Sequence, residues 1–495
     1  MLTYPATSAI SGSRHEEERA MAGIKSFGAH VPWLRLSREV IARGWGIPGA
    51  PGTVAAANFD EDSVTMAVEA ALNCTEGFNP STIGGVYFAS TTAPYAEKSL
   101  ASLVATVLDA PDGALTADFA VSLRASTSAL LAALDAAACG KADNIVVTAG
   151  ETRVAEPVTQ WEQTLGDGAG ALMVGEGDGV IAEFLGSYSL KDEIMFTWRR
   201  AEHDHMLREF NARMAQSMGY EKVMVRAIKG AMHKLGLAPE GIARAVFTAP
   251  DFRSHGRIAA KCGFNPAAGQ VQDALFAFVG GTGAAQPLMM MANALESGLK
   301  EGDVVLLAHY ADGADVLAFR VTGALAQLPP RRAVNACLAS QHPLDSLARF
   351  MRNRGLTIIP PLDDFGSPVQ TWRDNSQVYP LHGVRCNQCG FVRFPIDRVC
   401  GRCKARDDNT EVRLARRGRV FTFIHDNLYP AVELPTTLTV VDLEDGARIF
   451  LQMTDRVPEE VEVDMEVELT FRRLHTGDEW NHYFWKCRPV RRGGE

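Results

Sequence analysis

From Gly23 onward the chain alternates two kinds of run. Short β-branched or aromatic stretches, GGVYFAS, NIVVTAG, ARAVFTAP and DVVLLAHY, are separated by Ala- and Leu-rich stretches of helical length such as ASTSALLAALDAAACG. That alternation predicts a layered α/β domain. The pattern also recurs. Strand, long helix and strand appear in each half, with GDGAGALMVGEG closing the first half near residue 177 and DGADVLAFRVT closing the second near residue 322. A duplicated α/β unit over residues 22–325 follows.

The pattern changes twice more. Residues 326–380 hold QLPPRRAV, TIIPPLDDFGSP and one amphipathic stretch, DSLARFMRNRG, which reads as a connector wrapping a neighbour. Then come RCNQCGFVRFPIDRVCGRC over residues 381–408 and a series of short strands over residues 409–495, including GRVFTFI, TTLTVVDL, ARIFLQM, EVELTFRRL and HYFWKCRPV. About five strands with turns between them predict a small β-barrel. Residues 1–21 are polar, charged and without period, and are expected to be a disordered extension.

Composition narrows the function classes. A chain of 495 residues with 46% hydrophobic content can bury two or three cores. No apolar run reaches the roughly 18 residues of a membrane span, and MLTYPATSAISGSRHEEERA lacks the apolar core of a signal peptide, so a cytoplasmic protein is expected. The net charge of -10 disfavours nucleic acid and anionic lipid as partners of the whole surface.

The nine cysteines include Cys386, Cys389, Cys400 and Cys403, a CxxC, ten residues, CxxC spacing. Each pair places two thiolates on one tight turn, and together they make a closed tetrahedral set for a structural Zn²⁺ with no open position for chemistry. Between Arg385 and Arg419 ten Lys or Arg stand against four Asp or Glu, a local patch suited to phosphate. Over Gly383–Glu495, however, 18 basic and 19 acidic residues nearly cancel, which suits a small phosphate-bearing ligand better than nucleic acid. A zinc-ribbon module binding single-stranded nucleic acid is the third-ranked reading.

The segments GIKSFGAHVPWLRLSREVIARGWG, GVYFASTTAPYAEKSLASLVATVL, GDGAGALMVGEG and AVFTAPDFRSHGRIAAKCGF together resemble the hydroxymethylglutaryl-CoA synthase family of the thiolase superfamily, over about residues 22–355. Leu381–Val490 resembles the zinc-ribbon and OB-fold proteins that accompany thiolase-like enzymes as separate subunits. The resemblance implies a CoA thioester as substrate, a homo-oligomer formed through the thiolase-like domain, and a site built from a nucleophilic cysteine, a glutamate, a histidine and an asparagine. Laid against ADFAVSLRASTSAL, ASTTAPYA, FTAP and VGGTGAAQ, those positions fall on Leu123, Thr91, Thr248 and Gly281. Leucine cannot be acylated. Ser122 is adjacent, with no base in view to activate it.

His309, in LLAHYADGAD, stands where thiolases carry their proton-transferring cysteine, and imidazole can give or take a proton near neutrality. Asp312 is a candidate to orient it, and Tyr95, in the retained PYA segment, to donate a hydrogen bond. The competing reading of His309 is a strand-end histidine satisfied by backbone partners. His203, His205 and His255 are weaker candidates, and Cys74, Cys139, Cys262 and Cys337 read as packing. The leading expectation is therefore an enzyme that forms or breaks a carbon-carbon bond on an acyl-CoA, aldolase-like or Claisen-type, without an acyl-enzyme. The alternative is a non-catalytic CoA-binding scaffold for a separate thiolase subunit.

Overall fold

The computed structural model describes residues 22–193, 197–200, 207–209, 211–357, 366–428, 431–477 and 479–491. The extension expected to be disordered, residues 1–21, lies outside them, as do His203 and His205. At the centre is a nine-stranded sheet in the order Leu115–Phe119, Gly85–Ala89, Ile145–Glu151, Gly168–Gly175, Gly23–His30, Ala182–Lys191, Gly313–Val321, Val304–Tyr310, Ile242–Phe247.

The duplication is visible in the pairing. The first strand of each half, Gly23–His30 or Ala182–Lys191, lies antiparallel to the last, Gly168–Gly175 or Gly313–Val321. That last strand lies antiparallel to Ile145–Glu151 or Val304–Tyr310, which run parallel to Gly85–Ala89 or Ile242–Phe247. The halves join where Gly23 and Ile24 pair with Glu183 and Ala182.

Two helices, Ser63–Cys74 and Gln286–Leu295, are buried at every residue. Their Ala- and Met-rich sequences suit a helix covered on all sides. Glycine lets them lie against the sheet: a Cβ at Gly28 would meet the Ala70 carbonyl at 2.5 Å, and one at Gly170 the Met289 amide at 2.6 Å. Ala125–Ala138 and Lys222–Leu235 instead bury one face each. The layered α/β unit predicted from the pattern is thus present.

Part of the segment expected as a connector packs on this unit. His342–Leu344 adds in parallel to Leu34–Ser37, which pairs with Thr53–Ala56, and Phe350 of helix Leu347–Asn353 fills the small core beneath. His382–Cys386, Val392–Arg393 and Asn409–Arg413 form the ribbon sheet. Arg417–Asp426, Thr436–Leu443, Arg448–Met453, Glu466–Gly477 and Trp480–Pro489 close into the barrel. The period-two pattern of TTLTVVDL places Thr437, Thr439, Val441 and Leu443 inside it.

The barrel is tied to the α/β unit by a buried ionic network. Arg472 reaches Asp60 at 3.1 Å, Glu61 at 2.9 Å and Asp455 at 2.6 Å. Lys486 meets Asp60 at 3.0 Å, Arg488 meets Glu69 at 2.6 Å and Glu468 at 2.7 Å, and Arg491 meets Asp455 at 2.6 Å. His30 adds an Nε2 contact to Glu61 at 2.8 Å. Such a density of buried charge persists only where each group has an opposite partner and its hydrogen bonds.

Candidate active site

One pocket collects three of the four family positions, Thr91 being off its lining, together with His309. Leu123, Thr248, Gly281 and His309 all line it, with Arg153, Tyr220 and Tyr310. Leu123 sits in the turn between strand Leu115–Phe119 and helix Ala125–Ala138. Its neighbour Arg124 anchors that turn: Nε and Nη2 donate to Asp315 at 2.9 and 2.5 Å, and the Thr127 and Ser189 hydroxyls donate to the same carboxylate at 2.7 Å. Burial pushes the Asp315 carboxyl up, but these donors hold it below the ordinary value. The Ser122 hydroxyl accepts the Arg124 amide, at 3.3 Å, within the turn.

Thr248 and His309 are brought together by strand register. Phe247 pairs with Ala308 in the parallel strands, so the next residue of each chain segment stands beside the other. Thr248 Oγ1 is 2.7 Å from His309 Nδ1, and His309 Nε2 is 2.8 Å from the Leu123 carbonyl oxygen. A carbonyl only accepts, so Nε2 carries the proton and Nδ1 accepts from the Thr248 hydroxyl. Burial drives the His309 pKa down to about 4, the bond to Leu123 opposing it in part, so the ring is neutral at physiological pH. The π-helical turn Ala215–Glu221 supplies Tyr220, whose hydroxyl donates to the Thr248 carbonyl at 2.8 Å.

Asp312 does not orient His309, because both ring nitrogens are taken by Thr248 and Leu123. It sits in a left-handed turn, φ 47°, with its backbone carbonyl accepting from Arg124. Tyr95 is not on the pocket wall either. Its hydroxyl accepts the Asn481 amide at 2.7 Å and its ring packs on Trp480, so it belongs to the barrel contact. His255 is half-buried against Phe247, ring centroids 4.3 Å apart, and desolvation holds its pKa down to about 4.

Two charged residues were missed. Glu151, fully buried at a strand end, accepts the Thr91 amide at 2.7 Å, the Thr91 hydroxyl at 3.0 Å and the Thr92 hydroxyl at 2.8 Å. Arg153 reaches Thr91 Oγ1 at 3.4 Å, and its carbonyl is held by Arg354 of the connector at 2.9 Å, which also pairs with buried Asp167 at 2.7 Å. The available signal was an acid and a base, GETR, directly after the apolar strand NIVVTAG.

In the ribbon the four cysteine sulfurs lie within 4.8 Å of one another, with Cys386 to Cys403 and Cys389 to Cys400 both at 3.6 Å. A tetrahedral zinc with bonds of about 2.3 Å sets sulfurs about 3.8 Å apart, so the donors fit the ion. The basic cluster beside it is largely internal. Arg393 and Arg398 pair with Asp397 and Asp407, Arg413 holds the Val107 and Leu108 carbonyls, and Arg419 pairs with Glu466. Arg406 also lies 3.5 Å from Asp407 and Arg416 3.7 Å from Glu69, so the phosphate patch expected from the count is reduced to Arg385, Arg402, Lys404 and Arg417.

The chain resembles known proteins along most of its length. Residues 411–472 match a family model described as the C-terminal OB-fold domain of ChsH2. The hydroxymethylglutaryl-CoA synthase of Pyrococcus horikoshii is 32% identical over 303 residues, 60% of this chain and 85% of that relative. That of Methanosarcina mazei is 30% identical over 346 residues, 67% and 98% of the two chains. The chain belongs to the hydroxymethylglutaryl-CoA synthase family. Solved structures carry the same fold at lower identity. A synthase of this family complexed with CoA aligns with a TM-score of 0.60 and 17% identity, covering 70% of this chain and 93% of its own. The 3-oxoacyl-(acyl carrier protein) synthase III of Pseudomonas aeruginosa PAO1 aligns with a TM-score of 0.56 and 20% identity, covering 61% and 98%. The architecture is thus a thiolase-like α/β domain, a ribbon with a zinc-type cysteine cluster, and an OB-fold barrel in one chain. Among the described residues no helix is long and apolar enough to cross a membrane.

Proposed function

We propose that this family member acts on a CoA thioester, forming or breaking a carbon-carbon bond without a covalent acyl-enzyme. What supports the reading is the pocket itself, where Leu123 lies on the turn that the resemblance assigns to the nucleophile while His309, bonded to Thr248, is placed for proton transfer. Aldol or Claisen chemistry at a thioester needs a base and a stabilised enolate oxygen, and neither requires a nucleophile. His309 moves the proton. Arg153, the buried cation on the wall, supports the negative oxygen. The relatives' names, synthases acting on CoA thioesters, support the substrate class.

Cys386, Cys389, Cys400 and Cys403 would hold a structural zinc that folds the ribbon and takes no part in the reaction. The working unit is a homo-oligomer formed through the thiolase-like domain. Leu115–Phe119 is an open sheet edge, and Val121, 96% exposed beside the pocket turn, is a side chain that a second copy would cover.

The test is His309→Gln, assayed on β-hydroxyacyl- and β-ketoacyl-CoA with the chain alone. Loss of the acid/base should lower the rate roughly a hundredfold or more with CoA binding retained. Activity seen only with an added thiolase, and indifferent to the substitution, would make the chain a scaffold and overturn the proposal.

A further inference from the structure

The hydrogen bonds behind the pocket wall have a direction, and direction selects a ligand. The Leu123 carbonyl can only accept, at 2.8 Å from His309 Nε2. That places the ring proton on Nε2 and a lone pair on Nδ1. Thr248 Oγ1, 2.7 Å from Nδ1, must then give its single proton to the ring. Thr248 is 5% exposed and lines the pocket, and what its oxygen has left for a ligand is lone pairs. In the resting state this point of the wall is an acceptor. A carbonyl or enolate oxygen placed there meets repulsion, whereas a hydroxyl finds a partner.

From this chain of bonds we infer that Thr248 is the residue that touches the reacting group, and that the substrate is a β-hydroxyacyl thioester whose hydroxyl donates to Thr248 Oγ1. The inference rests on the acyl-CoA reading of the pocket and deepens it. His309 then acts through Thr248 as the positioning and proton-holding residue. In the cleavage direction the substrate hydroxyl proton passes to Thr248 Oγ1 as the Thr248 proton passes to Nδ1. The O–H electron pair becomes the new C=O bond, the Cα–Cβ bond breaks, and its electrons form the thioester enolate. The same relay in reverse returns the proton to Cα. The products are a carbonyl compound and a shortened acyl-CoA, with no co-reactant consumed. His309 keeps its Nε2 bond to Leu123 throughout, so the ring is anchored while its other nitrogen gains and loses the proton. Tyr220, donating to the Thr248 carbonyl, fixes the residue from behind.

Calorimetric titration with matched β-hydroxyacyl-, β-ketoacyl- and unsubstituted acyl-CoA of short, medium and long chain tests this on the wild type, Thr248→Val and Thr248→Ser. The wild type and Thr248→Ser should bind the hydroxyacyl ligand roughly tenfold more tightly than the other two, and Thr248→Val should bind all three alike. Equal affinities in the wild type, or a hydroxyl preference that survives Thr248→Val, would overturn the inference while leaving the acyl-CoA site standing. Failure of the wild type to bind any of the thioesters would overturn the acyl-CoA reading, and this inference with it.

Discussion

The contact between barrel and α/β unit and the Thr248–His309 pair of the pocket are both buried, and they treat charge in opposite ways. At the contact, Asp60, Glu61, Glu69, Asp455 and Glu468 face Arg472, Lys486, Arg488 and Arg491, each carboxylate within 3.1 Å of a cation. In the pocket, His309 is instead kept neutral and bonded to a hydroxyl and a carbonyl. A fully paired ionic network is locked, because moving any member strands another. A neutral imidazole with a hydroxyl partner can change protonation without leaving its place. The first arrangement fixes how two folds sit together, and the second is one that can do chemistry.

Breaking the contact should produce the largest effect. Arg472→Met leaves Asp60, Glu61 and Asp455 short of a cation and should destabilise the chain by about 3–5 kcal/mol in denaturant melts. Thr248→Val leaves the buried Nδ1 of His309 without its donor and should cost less, about 1–3 kcal/mol. Equal losses would erase the distinction between the two regions.

Metal removal comes next. Fresh protein should carry about one zinc per chain by elemental analysis, lost with Cys386→Ser or Cys400→Ser together with the stability of the ribbon. Undiminished stability after chelation would contradict a structural metal.

Acid separates the two regions by pH. The His309 pKa lies at about 4 in the folded chain against 6.5 for the free group, so the unfolded chain binds the extra proton and stability falls as pH drops from 6.5 towards 4. His255, also at about 4, adds to this step. Glu468 is held at about 2 against an ordinary 4.5 by Arg488 and Arg332 acting against its burial, and the paired Glu69 and Asp455 lie lower still. Their contribution is complete above about pH 4.5 and is lost as pH falls through that range. His309→Gln should make the upper step of a Tm-against-pH curve shallower and leave the lower step in place.

Tyr95→Phe should have the smallest effect. It removes the acceptor for the Asn481 amide, worth about 1 kcal/mol, and should leave turnover unchanged. A large loss of turnover would return Tyr95 to the pocket.

These contrasts also show what the chain's pattern makes legible. Period and duplication reveal the sheet halves, because a buried strand must read as an apolar run wherever it lies. Ordered motifs place Leu123, Thr91, Thr248 and Gly281, and the structure gathers three of them with His309 on one pocket, leaving Thr91 off its lining. The bond between Thr248 and His309 is not legible, since it depends on the register of strands 61 residues apart. Asp312 and Tyr95 were misplaced for related reasons. Nearness in sequence to His309 does not survive a left-handed turn, and a retained PYA segment cannot announce that Trp480 and Asn481 of the barrel cover it. The ionic contact was illegible for the same cause. Its acids Asp60, Glu61 and Glu69 lie about 400 residues from their partners Arg472, Lys486 and Arg488, and as separate stretches they read as ordinary surface charge.

The central claim is that this pocket performs its reaction without an acyl-enzyme, and intact-mass spectrometry of protein quenched during turnover of a β-hydroxyacyl-CoA tests it most directly. The account predicts accumulating acyl-CoA product with the chain at its unmodified mass. An acyl adduct that maps to Ser122 or to any cysteine would contradict it.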